Sequence, residues 1–247
     1  MIAAAFLLAA HAVASTPPKI VSLKTSDGWT LVADYRAPAP HSIVVVLAHG
    51  VASSRGEWTA LAERLKAAGI GTLAIDLRGH HDSAKGPAGA RDFSDFDATH
   101  EWPKAVEDFA AGTRWLKSRG IDERRIAFGG ASIGANLAAA AASKNLSAPF
   151  LLLLSPGPDY RGVGLQLRRG LKTLAGASAP DAYAHQTLAP LSKIEGVEIF
   201  EAPSGHGTQM FNDAATLNKV VAWIVAASTS QLKTSIDLVP RSPREKP

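Results

Sequence analysis

The chain has 247 residues, 46% of them apolar and 19% charged, enough material for one large core and far from a disordered composition. Its formal charge of +4 is spread thinly: the last fifteen residues hold +2, elsewhere bases alternate with acids as in Asp122-Glu123-Arg124-Arg125, and no basic-aromatic stripe suits nucleic acid. The absence of Cys rules out disulfides, thiol nucleophiles and thiolate metal sites.

In chain order, Ile2 to Ala14 is an apolar run broken only by His11 and followed by Ala12-Val13-Ala14-Ser15, a small-x-small pattern. Residues 1–14 read as a secretory signal peptide, which places the protein outside the cytoplasm, secreted or periplasmic. No Lys or Arg precedes the run, and the competing reading is an N-terminal helix of a cytoplasmic protein. The run is too short to span a bilayer.

Residues 18–229 then read as one domain. Ile20–Lys24 and Thr30–Arg36 alternate apolar and polar around Ser26-Asp27-Gly28, the pattern of a hairpin. Ile43–Ala48 is unbroken apolar, as a strand covered on both faces is. Glu57–Ala68 has helical spacing and stops at Gly69, and Ile70–Leu77 is the next buried strand. The alternation continues with a helix over Lys104–Lys117, a strand at Arg125–Phe128, a helix after Ser132, strands at Phe150–Leu154 and Leu171–Ala175, a helix over Ala184–Lys193, a strand at Val197–Ala202 and a closing helix over Asn212–Ala227. The rhythm predicts an α/β fold: a mostly parallel central sheet opened by an antiparallel hairpin, with helices on both faces and no large lid domain. Arg78–Trp102 and Ser155–Gly170 are long irregular connections, where function concentrates. Residues 233–247 read as a disordered Pro/Arg-rich tail.

The pentapeptide Gly130-Ala131-Ser132-Ile133-Gly134 carries the chemistry. At this composition chance supplies about one such match in seven chains, so its surroundings decide. It follows a strand and opens an alanine-rich helix, the context in which a sharp turn lifts a serine hydroxyl clear of a sheet. Serine needs a base, and among the eight His residues His206, in Ser204-Gly205-His206-Gly207 between the last strand and last helix, is placed to reach back over the sheet. His49 ends a buried strand, and His80-His81 lie in a loop; both positions suit structural roles.

The chain resembles the α/β-hydrolases, in layout closest to the serine-esterase and dienelactone-hydrolase branch. His49-Gly50, Asp76-Leu77-Arg78-Gly79-His80, Gly130 to Gly134 and Gly205-His206-Gly207 follow that family's motifs in order over roughly Ile20 to Ala227. The dienelactone hydrolases themselves carry Cys at the nucleophile, whereas this chain has Ser132. The resemblance implies a catalytic triad whose acid lies between Ser132 and His206. Two aspartates compete: Asp181, after the penultimate strand where the family places its acid, and Asp159, after the preceding strand, which some relatives use. It also implies backbone oxyanion donors at Val51 and Ile133. The expected activity is hydrolysis of small or medium carboxylic esters. A peptidase or amidase on the same residues, and a catalytically silent fold used for binding, are the alternatives. No cofactor is expected, and Asp76 and Asp82 beside His80-His81 are too weak a cluster to argue for a metal. Trp58, Trp102, Met210 and Phe211 are candidates to line the cleft.

Overall fold

The computed structural model describes residues 17–237. The expected leader lies outside them. β1 (Lys19–Lys24) and β2 (Thr30–Arg36) form the antiparallel hairpin, with Leu23 opposite Leu31. β3 (Val44–Ala48), α1 (Thr59–Ala67) and β4 (Gly71–Ile75) begin the parallel section. Two-residue strands β5 (Lys85–Gly86) and β6 (Gly89–Ala90) and the single turn α2 (Phe96–Thr99) punctuate the first irregular connection. α3 (Val106–Lys117), β7 (Ile126–Ala131), α4 (Ile133–Lys144) and β8 (Leu151–Leu154) follow. β9 (Asp159–Tyr160) and β10 (Val163–Gly164) make a small hairpin in the second connection. β11 (Thr173–Ser178), α5 (Ala182–Leu191), β12 (Val197–Ala202) and α6 (Ala214–Asp237) complete the chain.

The sheet runs β1-β2-β4-β3-β7-β8-β11-β12, with β5 and β6 hung on the edge of β2; every pairing from β4 to β12 is parallel. Strand alternation sends Val44, Val46 and Ala48 into one core with Phe109, Leu137 and Leu188, so α3, α4 and α5 cover that face. Val45 and Leu47 point the other way, to Leu61 and Leu65 of α1 and Val220 and Ile224 of α6. The chain leaves β3 toward β4 on one side and returns through β7 on the other. That reversal opens a crevice beyond the carboxyl ends of β3 and β7, the favoured ligand position in open α/β sheets.

Three boundaries differ from expectation for identifiable reasons. β7 runs to Ala131, into the pentapeptide, because Gly130 and Ala131 still pair with Ala48 and Leu154. β11 continues through Gly176-Ala177-Ser178, beyond the Ala175 at which the sequence pattern ends the strand. Gly176 lies opposite Phe200, whose ring occupies the space a Cβ would take, at 2.1 Å. α6 extends to Asp237, so the first five residues of the expected tail are helical, and residues 238–247 lie outside the described part. Among the described residues no helix is long and apolar enough to cross a membrane.

The first irregular connection is tied down by Arg78, a fully buried guanidinium. It bonds Asp108 of α3 at 2.8 Å and Glu101 and Asp27 at 2.7 Å each, over the face of Trp29. Removing one partner of a buried ion pair strands the other. Arg78→Met is therefore expected to cost about 3–5 kcal/mol, read as a lowered urea midpoint, and a loss below about 1 kcal/mol would deny Arg78 this anchoring role.

Candidate functional site

Ser132 sits between β7 and α4 with φ 56° and ψ −127°, a conformation that costs a non-glycine residue on the order of 1–3 kcal/mol. Its amide donates to the Leu154 carbonyl and its own carbonyl accepts from Ala135, which fix the turn from both sides. The flanking glycines are sterically required. A Cβ on Gly130 would stand 2.0 Å from the Gly134 oxygen, and one on Gly134 would stand 2.4 Å from the Ala48 oxygen. The first turn of α4 thus lies directly against the end of β3. Burial of Ile133 and Leu137, about 1.5–3 kcal/mol each, more than offsets the strain.

His206 begins the short 3-10 segment Gly207–Asn212 after β12. Its loop is pinned twice: the Gly207 amide donates to the Ser155 hydroxyl at 2.8 Å, and the Ser178 hydroxyl donates to the Gly205 carbonyl at 2.6 Å. The imidazole Nδ1 lies 2.7 Å from Oδ2 of Asp181, the residue that starts α5. Because that carboxylate can only accept, Nδ1 carries the proton and Nε2 is left as the basic nitrogen. Asp159 is elsewhere: its Oδ1 accepts from the Gly162 amide at 2.8 Å and shapes the β9–β10 turn. Of the two competing aspartates, Asp181 is the one that meets His206.

Ser132 and His206 line one cleft of about 440 Å³, together with Gly50, Val51, Ser53, Glu57, Ala131 and Thr208. Ile133 opens α4, so its amide belongs to the unpaired first turn at the positive helix end. The other expected donor, Val51, is oriented through His49. The His49 Nε2 accepts from the Leu77 amide at 2.9 Å, so its Nδ1 must hold the proton and donate to the Gly50 carbonyl at 2.6 Å. In a trans peptide the Val51 N–H points opposite to that carbonyl, away from the buried ring. His80 stacks on Phe93 beside His49, and both remain in the interior.

The large apolar residues expected in the cleft are not its walls. Trp58, Trp102 and Met210 are buried in the core and Phe211 packs against it, because each faces inward from its turn or helix. Two residues at the site carried no sequence signal. Tyr160, at the tip of the β9–β10 hairpin, donates to the Ser155 carbonyl at 3.1 Å, sits edge-on to His206 and reaches the Ser132 side chain. Burial pushes its hydroxyl up to about 12. The hairpin is held there by buried Asn136 of α4, whose amide donates to the carbonyls of Gly157 and Val163. Glu57 is the other, a half-buried carboxyl bonded by the Ser53 hydroxyl and raised above the usual carboxylate range by burial. Asp76, His81 and Asp82 converge within 4.8 Å of one another, but Arg55 binds both carboxylates and fills the role a cation would take.

A model described as the alpha/beta hydrolase family matches residues 45–243. The chain belongs to that family. Over 83 residues it is 40% identical to a monoacylglycerol lipase of Mycolicibacterium smegmatis, a match spanning 34% of this chain and only 24% of that protein. Among solved structures, a dienelactone hydrolase from Anabaena variabilis superposes with a TM-score of 0.60 at 20% identity, covering 85% of this chain and 97% of its own. An esterase from Thermogutta terrifontis gives 0.64 at 17% identity, over 85% of this chain and 99% of its own. At these identities the likeness is one of fold.

The buried His49 yields a pH signature. Desolvation, reinforced by His80, holds its imidazole down at about 3 from an ordinary 6.5. As pH falls below about 6.5 the unfolded chain takes up a proton that the native state refuses, so stability drops by up to about 1.4 kcal/mol per pH unit. The wild-type urea midpoint is expected to fall between pH 7 and pH 5. A His49→Gln variant should be less stable at pH 7 but flatter across that range; equal slopes in the two proteins would remove His49 as the source.

Proposed function

We propose that the chain is a serine hydrolase of carboxylic esters, acting through an acyl-enzyme on Ser132. The observation that carries the reading is the Asp181–His206 pair at 2.7 Å facing the same cleft as a serine on a strained strand-to-helix turn. Neither a folded core nor a loop needs that combination. A strained turn persists where surrounding structure holds it, and such turns cluster at active sites.

In the proposed cycle the His206 Nε2 takes the Ser132 proton as Oγ attacks the ester carbonyl, forming a tetrahedral intermediate. Asp181 keeps the Nδ1 proton in place and stabilises the imidazolium. The developing oxyanion is met by the amides of Val51 and Ile133, two preorganised donors of the kind worth about 3–4 kcal/mol each. His206 then returns the proton to the departing alcohol. Water, deprotonated by the same nitrogen, cleaves the acyl-enzyme and regenerates Ser132. No cofactor enters these steps.

The walls support a preference for small or medium esters. The long connections over the strand ends carry, among the described residues, only two-residue strands, 3-10 turns and the single-turn α2 rather than a helical lid, and the cleft holds about 440 Å³. Small or medium esters fit such a space better than long acyl chains do. Residues 1–14 support export to a secreted or periplasmic location, since their apolar run and small-x-small end are those of a signal peptide.

A fluorophosphonate probe is expected to label the wild type and not Ser132→Ala. With p-nitrophenyl esters of increasing chain length, Asp181→Asn should lower kcat by roughly 10³–10⁴-fold, and Asp159→Asn should stay within about threefold of wild type. Turnover that survives Ser132→Ala would sink the mechanism, and a large loss in Asp159→Asn with little in Asp181→Asn would reassign the acid.

A further inference from the structure

The cleft has one wall that the proposed hydrolysis leaves unused. From the loop after β3, Ser53 and Glu57 face Thr208 and Gln209, which follow His206. The Glu57 carboxyl receives the Ser53 hydroxyl on Oε2, with the Gly50 amide and the Thr208 hydroxyl directed at the same group. Its Oε1 is shielded from solvent and lacks a well-aligned donor. Among the described residues no Lys or Arg lines the cleft. Arg55, two residues away in the chain, is committed to Asp34, Asp76 and Asp82. The second carboxylate at the site, Asp181, is already paired with His206. Among the described residues Glu57 is thus a partly buried acid in a ligand-sized space with no Lys or Arg beside it and only the His206 imidazole within electrostatic reach, an arrangement that favours a cation brought by the ligand.

The position of the wall bears on which half of an ester would meet it. His206 hands its proton to the leaving alcohol, whose oxygen therefore lies beside the His206 ring, and the segment that follows His206 lines the same cleft. Thr208, which contacts Glu57, is in that segment.

We propose that Glu57 is a specificity-determining residue that makes this cleft select esters of cationic amino alcohols, reading a positive charge on the departing alcohol. The proposal rests on Ser132 acting as an ester hydrolase. Selection works in both directions: a cation completes the Glu57 carboxylate, and an anionic alcohol meets an uncompensated negative charge at short range. The chain as a whole is basic at +4, so bulk attraction would favour anions, and a cation preference would have to originate inside the cleft.

The test uses three acetate esters matched in the alcohol: acetylcholine, its neutral isostere 3,3-dimethylbutyl acetate, and anionic 2-sulfoethyl acetate. Hydrolysis is followed by pH-stat on the full chain. Wild type is expected to show kcat/KM at least about tenfold higher for acetylcholine than for the neutral isostere, with the anionic ester slowest. In Glu57→Gln, which keeps the shape and the bond to Ser53, that ratio should fall to within about threefold. A second measurement needs no variant: about 0.5 M NaCl should reduce the wild-type ratio by screening, while the neutral ester is barely affected. Equal kcat/KM for the charged and neutral esters in wild type, or a preference that survives Glu57→Gln, overturns the proposal. Absence of all three activities together with no fluorophosphonate labelling instead marks failure of the esterase reading beneath it.

Discussion

The contact between the first turn of α4 and the carboxyl end of β3 is the constraint on which the site depends. Gly134 rests against the carbonyls of Ala48 and His49, and Gly130 rests against Gly134, with no space for even one added methyl at either position. This approach holds Ser132 in its strained turn and brings the helix amino end beside the Gly50-Val51 loop. Because β3 and β7 are neighbours at the point where the chain reverses direction across the sheet, the same contact fixes where a cleft can open. Position, strain and the two proposed amide donors therefore share one steric cause.

The other elements arrive at this point through polar ties that are individually modest. Ser155 and Ser178, at the ends of β8 and β11, hold the loop that carries His206. Asn136, one turn into α4, holds the hairpin that presents Tyr160. His49 orients the Gly50 peptide from the buried side. Each tie starts from a strand end or from α4, so the rigid sheet is the common reference for groups that lie far apart in the chain. Neutral buried hydrogen bonds contribute about 0.5–1.5 kcal/mol each, which makes their value here geometric more than energetic.

Much of this was legible in the sequence because its signals were local. Apolar runs such as Val44–Ala48 and Leu151–Leu154 mark doubly covered strands, and the pentapeptide announces the turn at Ser132 between a strand and a helix. His206 followed from its loop between the last strand and the last helix, whereas chain order left Asp181 and Asp159 in competition as its partner. What escaped was set by tertiary contact. Gly176 to Ser178 fall past the apolar run that ends at Ala175, and only Phe200, across the pair, explains why a glycine belongs in that strand. Trp58, Trp102 and Met210 have the size of cleft residues, and only their inward direction places them in the core. Tyr160 lies in an irregular connection and Glu57 at the start of a segment with helical spacing, and neither position marks its side chain as one that faces the site, so nothing short of the folded chain reveals them.

The family likeness and the site bear on different questions. A shared sheet order at 17–20% identity says how the chain folds and leaves its substrate open, because the cleft walls come from loops that the fold does not dictate. Here those loops supply Ser53, Glu57, Thr208 and Gln209, while the large apolar side chains that would hold a fatty acyl chain are spent on the core. A lipase-like preference would require the opposite allocation, with apolar walls in the cleft and the carboxyl turned out to solvent. Charge reinforces the point. Among the described residues the Asp34, Asp76 and Asp82 group is met in part by Arg55 and Asp181 is hydrogen-bonded by His206, whereas Glu57 has only neutral donors around it. The fold locates the proposed chemistry at Ser132, and that acid is the feature of the walls that would discriminate between alcohols of like shape.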